Sequence, residues 1–174
     1  DRGLKPQDRI LLRLDNTVEF PIAFLAAISV DIKPVPLSAQ LTNQEIVLLA
    51  DIVSAKAVCL DPALSFPPAL DIETITIDEL RMMQRKEPAN FSMGSPNRLA
   101  YIVFTSGTSG SPKAVMHAHR AVWARKMMID GWYDLRPDDR MLNAGTFNWT
   151  YTLGTGLLDP WSKGATSLIP DRNI

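Results

Sequence analysis

Nine consecutive residues, Thr105-Ser106-Gly107-Thr108-Ser109-Gly110-Ser111-Pro112-Lys113, gather the side chains best suited to gripping an anion. Gly107 and Gly110 have no Cβ, so the backbone can turn sharply and approach a ligand closely. Successive backbone N–H groups in such a loop form a concave nest of positive potential. Thr105, Ser106, Thr108 and Ser109 add hydroxyls able to donate to phosphate oxygens, and Lys113 adds a mobile point charge. The spacing is G-x-x-G-x-x-K. The common NTPase loop is G-x-x-x-x-G-K-[ST], with a magnesium-holding hydroxyl after the lysine. Here two residues separate Gly110 from Lys113, and Ala114 follows. The pattern is not G-x-G-x-x-G either, which counts against a dinucleotide site. Composition alone leaves a merely flexible loop as the alternative.

A loop of this kind needs a rigid strand ahead of it, and Leu99-Ala100-Tyr101-Ile102-Val103-Phe104 is an apolar run of strand length. Upstream the chain alternates. Ile10 to Leu14 predicts a buried strand. Asn16 offers an N-cap with Glu19 as its reciprocal partner, opening a helix with Phe20, Phe24, Leu25 and Ile28 on one stripe. Lys33-Pro34-Val35-Pro36-Leu37 predicts an extended segment. Thr42-Asn43-Gln44-Glu45 is a capping-box pattern for a helix with Ile46, Leu49 and Val53 on one face, and Ala57 to Leu60 predicts the next strand. This order favours a parallel sheet with right-handed crossovers. Residues 62–97 are punctuated by prolines and predict a surface connection with one strand, Thr74 to Ile77, and a solvated turn at Arg85-Lys86-Glu87. Beyond the loop we expect a helix from His119 to Trp132, a strand at Arg140 to Asn143, helix from Thr150 to Lys163 despite Gly154 and Gly156, and a strand at Thr166 to Ile169.

The 174 residues suit one domain or a piece of a larger one. An apolar fraction of 46% supports a real core. With 18 basic and 19 acidic residues there is no basic excess of the kind a nucleic-acid surface carries. No apolar run approaches the roughly 18 residues of a membrane span. A lone cysteine, Cys59, permits no internal disulfide. It predicts an inert buried thiol and fits a reducing, cytoplasmic setting. The polar opening Asp1-Arg2-Gly3 carries neither a signal-peptide pattern nor an initiator Met, as in a trimmed chain.

The stretch from Ala100 to Val115, followed by His117-Ala118-His119-Arg120, resembles the AMP-binding signature of adenylate-forming enzymes. That superfamily comprises acyl-CoA and aryl-CoA synthetases, nonribosomal peptide adenylation domains and luciferases. The resemblance runs along the chain. Gly3-Leu4-Lys5-Pro6-Gln7-Asp8-Arg9-Ile10 looks like the family's G-x-x-x-G-D-R-V opening, with Gln7 where glycine is usual. Asn16-Thr17-Val18-Glu19-Phe20, Val35-Pro36-Leu37 and Leu41 to Ile46 also look like family landmarks. Ala114 replaces the usual glycine after the lysine, and Val30-Asp31-Ile32 replaces an A-G-A-type turn.

The resemblance implies an α/β fold with a mainly parallel sheet, here part of the large N-terminal domain. Residues 1–174 would form one partial AMP-binding domain without the C-terminal subdomain. It implies that ATP activates a small carboxylic acid to acyl-AMP, with magnesium bridging the phosphates. A thiol then takes the acyl group, coenzyme A most often, or a carrier-protein thiol as in adenylation domains. Thr105, Ser106, Gly107, Thr108, Ser109, Gly110 and Lys113 would hold the β- and γ-phosphates. The adenine motif Y-G-x-T-E, the ribose-binding aspartate and the catalytic lysine of relatives have no counterpart here. No catalytic residue is therefore assigned, and the chain alone is expected to be inactive. A kinase-type enzyme and a non-catalytic nucleotide-binding module remain as alternatives.

Phe147-Asn148-Trp149-Thr150-Tyr151 has two readings: a buried helix start, since aromatics are mostly core, or a wall of the acyl pocket, as its position in the family implies. In the second reading Trp149 is the preferred contact and Asn148 the next, and an aromatic or small acid is favoured over a long fatty chain. His117 and His119 could share a face of a strand, but without a Cys or carboxylate cluster a packing or capping role outweighs a metal site. Trp123, Trp132 and Trp161 are expected in the core or at an interface, and Arg136 to Arg140 in a solvated turn.

Overall fold

Strand β1 (Arg9–Arg13) shows why the chain folds as it does: Leu11 points into one apolar cluster, and Ile10 and Leu12 into another. A strand buried on both faces has to be central. In this computed structural model, which describes residues 2–106 and 111–170, β1 is flanked by β2 (Lys33–Pro36) and β3 (Ala57–Leu60), with β4 (Glu73–Thr76) beyond. All three pairings are parallel. Helices α1 (Glu19–Ser29) and α2 (Asn43–Val53) cross over on opposite faces. The expected mainly parallel α/β fold is thus found. The Thr42 capping box forms as expected, its hydroxyl accepting from the Glu45 N–H while the Glu45 carboxylate accepts from the Thr42 N–H at 2.8 Å. Such a cap contributes about 1 kcal/mol.

The expected cap at Asn16 does not form. Helix α1 starts at Glu19, after Val18, with no side-chain cap. Asn16 is engaged elsewhere: its amide donates to the Gly145 carbonyl at 2.8 Å and accepts from the Phe147 N–H at 3.0 Å. Glu19 is buried and accepts two hydrogen bonds from Arg81 of α3 (Ile77–Met83). The connection 62–97 is therefore more than surface chain. It supplies β4 to the sheet and α3 to the core, where Leu80 is buried, and Thr76 and Glu79 form a second capping box that starts α3. Arg85 to Glu87 are exposed, as the solvated-turn reading requires.

Strand β5 (Leu99–Ser106) pairs antiparallel with β6 (Pro112–Ala118), which leads into α4 (His119–Trp132). Strand β7 (Arg140–Leu142) pairs parallel with β8 (Thr166–Leu168). Between them run α5 (Thr150–Leu153), a π-helical stretch (Gly154–Leu158) and α6 (Asp159–Lys163), so the expected helix from Thr150 to Lys163 is present but wound more loosely in the middle. Trp123, Trp132 and Trp161 are 65%, 55% and 41% exposed, so none belongs to the described core. Helix α4 turns only Ile129 fully inward.

Two non-glycine residues adopt left-handed backbone where the resembling family has glycine: Gln7 at φ 76° and Asp31 at φ 64°. That geometry disfavours residues with a Cβ. The two residues offset it together: the Gln7 N–H donates to the Asp31 carbonyl at 2.7 Å and the Gln7 amide to its carboxylate. The carboxylate also pairs with Lys33, which is 1% exposed, and with Arg98 at 3.4 Å. Burial alone would raise the Asp31 carboxyl, but Lys33, Gln7 and Arg98 outweigh it and hold it below its ordinary 3.8. A depressed carboxyl stabilises the fold above its ordinary value and loses that contribution as pH falls through the folded value. Asp31→Asn should therefore cost about 3 kcal/mol at neutral pH, by leaving Lys33 buried without its counter-charge. It should also make the loss of stability below about pH 4 shallower than in the parent chain, as read by urea unfolding across pH.

Candidate functional site

The β5–β6 hairpin places the two ends of the Gly-rich loop opposite each other. In its register Thr105 faces Lys113 and Ser106 faces Pro112. Directly opposed residues of an antiparallel pair share a face, so the Thr105 hydroxyl and the Lys113 stem project on the same side, and both residues are exposed. Gly107, Thr108, Ser109 and Gly110 lie outside the described residues, and only the backbone of Ser106 is described. Phe104 and Ala114, the next opposed pair, face the other way and pack against the cluster around Leu11, Val35 and Ile46. The Ala114 methyl, where relatives have glycine, thus finds apolar contact.

Thr105 and Pro112 also line a cavity of about 420 Å³. Its other walls include Phe104, the end of β2 and the following turn (Pro36, Leu37, Leu41), α2 (Glu45, Leu48), and Asn148 with Trp149. The structure brings both sequence-predicted pocket residues to the mouth of the hairpin, although more than thirty positions separate them from Lys113. Trp149 is 59% exposed. Within the segment Phe147, 3% exposed, is core, while Trp149 and Tyr151 are exposed.

Five rings connect the two sides of this site. Phe147 stacks on Phe20 at 5.2 Å, Phe20 on Phe24 at 6.2 Å, Phe24 meets Tyr101 edge-on at 5.3 Å, and Tyr101 stacks on His117 at 4.6 Å. His117 is thereby a packing residue of the hairpin, and its burial holds the imidazole pKa below the ordinary value. His119 is the first residue of α4 and does not cap it. Among the described residues no three His, Cys, Asp or Glu side chains converge as a metal site. Cys59 is buried and its thiol is pushed up to about 12 by burial, with a smaller contribution from the Glu79 charge.

The helix behind Trp149 is braced by a buried ion pair. Arg125 of α4 donates from Nε and Nη2 to the two Asp159 carboxylate oxygens at 2.7 and 2.5 Å, and the Tyr133 hydroxyl donates to the same carboxylate. Asp159 is 2% exposed. The two glycines in the helix have a packing reason. A Cβ on Gly154 would come within 2.3 Å of the Arg125 guanidinium, and one on Gly156 within 2.9 Å of the Asn143 Cβ. The π-helical stretch begins at Gly154, whose missing Cβ leaves room for the Arg125 guanidinium.

Comparison with known proteins bears on the family and the fold. The model of the family described as AMP-binding enzyme matches residues 1–174. The chain belongs to the AMP-binding enzyme family. Among family relatives, the 4-hydroxybenzoate–CoA/benzoate–CoA ligase of Rhodopseudomonas palustris is 29% identical over 98% of the chain, and the anthranilate–CoA ligase of Pseudomonas aeruginosa is 28% identical over 98%. The chain spans 35% and 36% of the length of these two relatives. The fold matches a benzoate CoA ligase from Burkholderia xenovorans LB400 with a TM-score of 0.84 at 24% identity, over 98% of this chain and 37% of that one. It matches an anthranilate CoA ligase in complex with anthranoyl-AMP with a TM-score of 0.84 at 18% identity, over 97% and 35%. No helix of this AMP-binding chain is long and apolar enough to cross a membrane among the described residues.

Pro36, Leu41 and Leu48 were not foreseen as cavity residues. Val35-Pro36-Leu37 and Leu41 to Ile46 stood out only as landmarks, and the crossover that carries them beside the hairpin has no local signal. The Arg125–Asp159 pair was missed for the same reason. Asp159→Ala should lower stability by about 3–5 kcal/mol, because it leaves Arg125 half-buried without its partner. Asp159→Asn, which keeps the shape and one acceptor, should cost less. Urea midpoints at neutral pH measure both.

Proposed function

We propose that this chain is the N-terminal part of the large domain of an acid–thiol ligase, and that it supplies the phosphate grip and one wall of the acid pocket. The observation that carries the reading is the shared cavity: Thr105 and Pro112, on either side of the loop, line it together with Asn148 and Trp149. An acid lying against Trp149 would have its carboxylate directed toward the hairpin, where the α-phosphate of ATP must lie if the loop holds the phosphates beyond it. In the first step a carboxylate oxygen attacks the α-phosphorus, the bond to the β-phosphate oxygen breaks, and pyrophosphate leaves. In the second a thiolate attacks the acyl carbonyl and AMP leaves. Positioning and charge stabilisation dominate such chemistry.

The chain's own contribution is to hold and orient. Thr105 donates a hydrogen bond and Lys113 a positive charge to the leaving pyrophosphate, while the apolar cavity walls exclude water from the acyl side. Magnesium, which the family resemblance implies, would be carried by the nucleotide phosphates and would offset their charge. Coenzyme A is favoured as the acceptor over a carrier-protein thiol, since the relatives named above are CoA ligases. An aromatic acid is favoured by the exposed Trp149 in the cavity wall and by those relatives' names. The relatives' greater length supports assigning the adenine, ribose and adenylation-lysine contacts to sequence outside this chain, and with it the inactivity of residues 1–174 alone.

Two substitutions in the full-length polypeptide that carries this chain test the division of labour. Trp149→Ala should lower kcat/KM for an aromatic acid by about tenfold or more and leave the KM for ATP within about twofold. Lys113→Ala should do the reverse, raising the KM for ATP and leaving acid preference unchanged. Unchanged acid kinetics in Trp149→Ala would remove the pocket assignment.

A further inference from the structure

Asn16 stands in the loop between the central strand β1 and α1, and its carboxamide reaches across to the segment that ends in Asn148 and Trp149. It forms a two-sided clasp: Nδ2 donates to the Gly145 carbonyl at 2.8 Å, and Oδ1 accepts from the Phe147 N–H at 3.0 Å. These two backbone groups are two residues apart, so one planar amide fixes the direction of the turn between them. The same turn is held from its other side by Asn143. Its Oδ1 accepts from the Gly145 N–H at 3.0 Å, and its Nδ2 donates to Thr155 Oγ at 2.8 Å. Gly145 leaves no room to adjust, since a Cβ there would lie 2.3 Å from Thr152 Oγ. Phe147 then enters the core on Phe20, and the next two residues emerge into the cavity beside Thr105.

We infer that Asn16 is a positioning residue for the acid-binding wall: its clasp sets where Asn148 and Trp149 stand relative to the phosphate-holding hairpin, and so which acids are accepted. This rests on the reading of Asn148 and Trp149 as the acid wall. Asn16 does not line the cavity itself. It acts through the backbone of residues 145–147, and no other described side chain hydrogen-bonds both Gly145 and Phe147.

The clasp predicts a selective defect. In the full-length polypeptide, Asn16→Ala should raise the KM for the preferred acid by about tenfold, as expected when two hydrogen bonds to one turn are lost. The preference between benzoate and a short aliphatic acid such as butyrate should shift with it, while the KM for ATP stays within about twofold. Asn16→Asp is the second variant. It keeps the volume and the acceptor for Phe147 but sets a carboxylate against the Gly145 carbonyl, so it should show the same acid-selective defect even if Asn16→Ala does not fold. Trp149→Ala, measured in parallel, separates the two layers of argument. If Trp149→Ala alters acid preference and both Asn16 variants leave it unchanged, the clasp inference is overturned and the pocket reading stands. If none of the three alters acid preference, both fall. If the Asn16 variants lower Tm and degrade acid and ATP kinetics to the same extent, the residue is only structural and the inference is likewise overturned.

Discussion

Strand β5 is buried on both faces, and the site hangs from that fact. Tyr101 and Val103 turn into the cluster around Phe20 and Phe24, while Ile102 and Phe104 turn into the cluster around Leu11, Val35 and Ile46. A strand locked from two sides cannot slip in register, because a shift of one residue would exchange every side chain between the two cores. That lock passes to β6 through the antiparallel pairing and fixes Lys113 opposite Thr105. It passes sideways through the run of rings from His117 to Phe147 and fixes the segment that carries Asn148 and Trp149. Two regions far apart in sequence are thus held at one cavity by packing rather than by direct bonds between them.

Local pattern was enough where one physical effect dominates. The apolar runs of β1, β3 and β5 and the Thr42 capping box follow from burial and capping. It failed where a tertiary partner outbids a local one. Asn16 has the sequence context of an N-cap, but two backbone groups of a distant turn claim its amide. Strand β6 gives no long apolar run: three of its seven residues are exposed and none is fully buried. Helix α3 was hidden behind its own cap, Thr76, which also ends β4. The candidate site was suggested by the loop's chemistry and by the family position of Asn148 and Trp149, but that Thr105, Pro112, Asn148 and Trp149 line one cavity depends on crossovers no local pattern encodes.

The departures from the family's glycines carry a consistent physical lesson. Gln7 and Asp31 each accept left-handed backbone and bind each other, and Ala114 spends its extra methyl on core contact. Each change costs conformational freedom and recovers contact. None of the three projects into the cavity between hairpin and Trp149, so the chemistry assigned to that cavity is undisturbed by them.

The central claim is that the hairpin and the Trp149 segment together serve transfer of an adenylyl group to a carboxylate. Exchange of labelled pyrophosphate into ATP by the full-length polypeptide tests it most directly. Exchange should require a carboxylic acid, fall when Lys113 is replaced by alanine, and give AMP as the nucleotide product once a thiol is added. Release of ADP instead of AMP, or exchange indifferent to the acid, would contradict it.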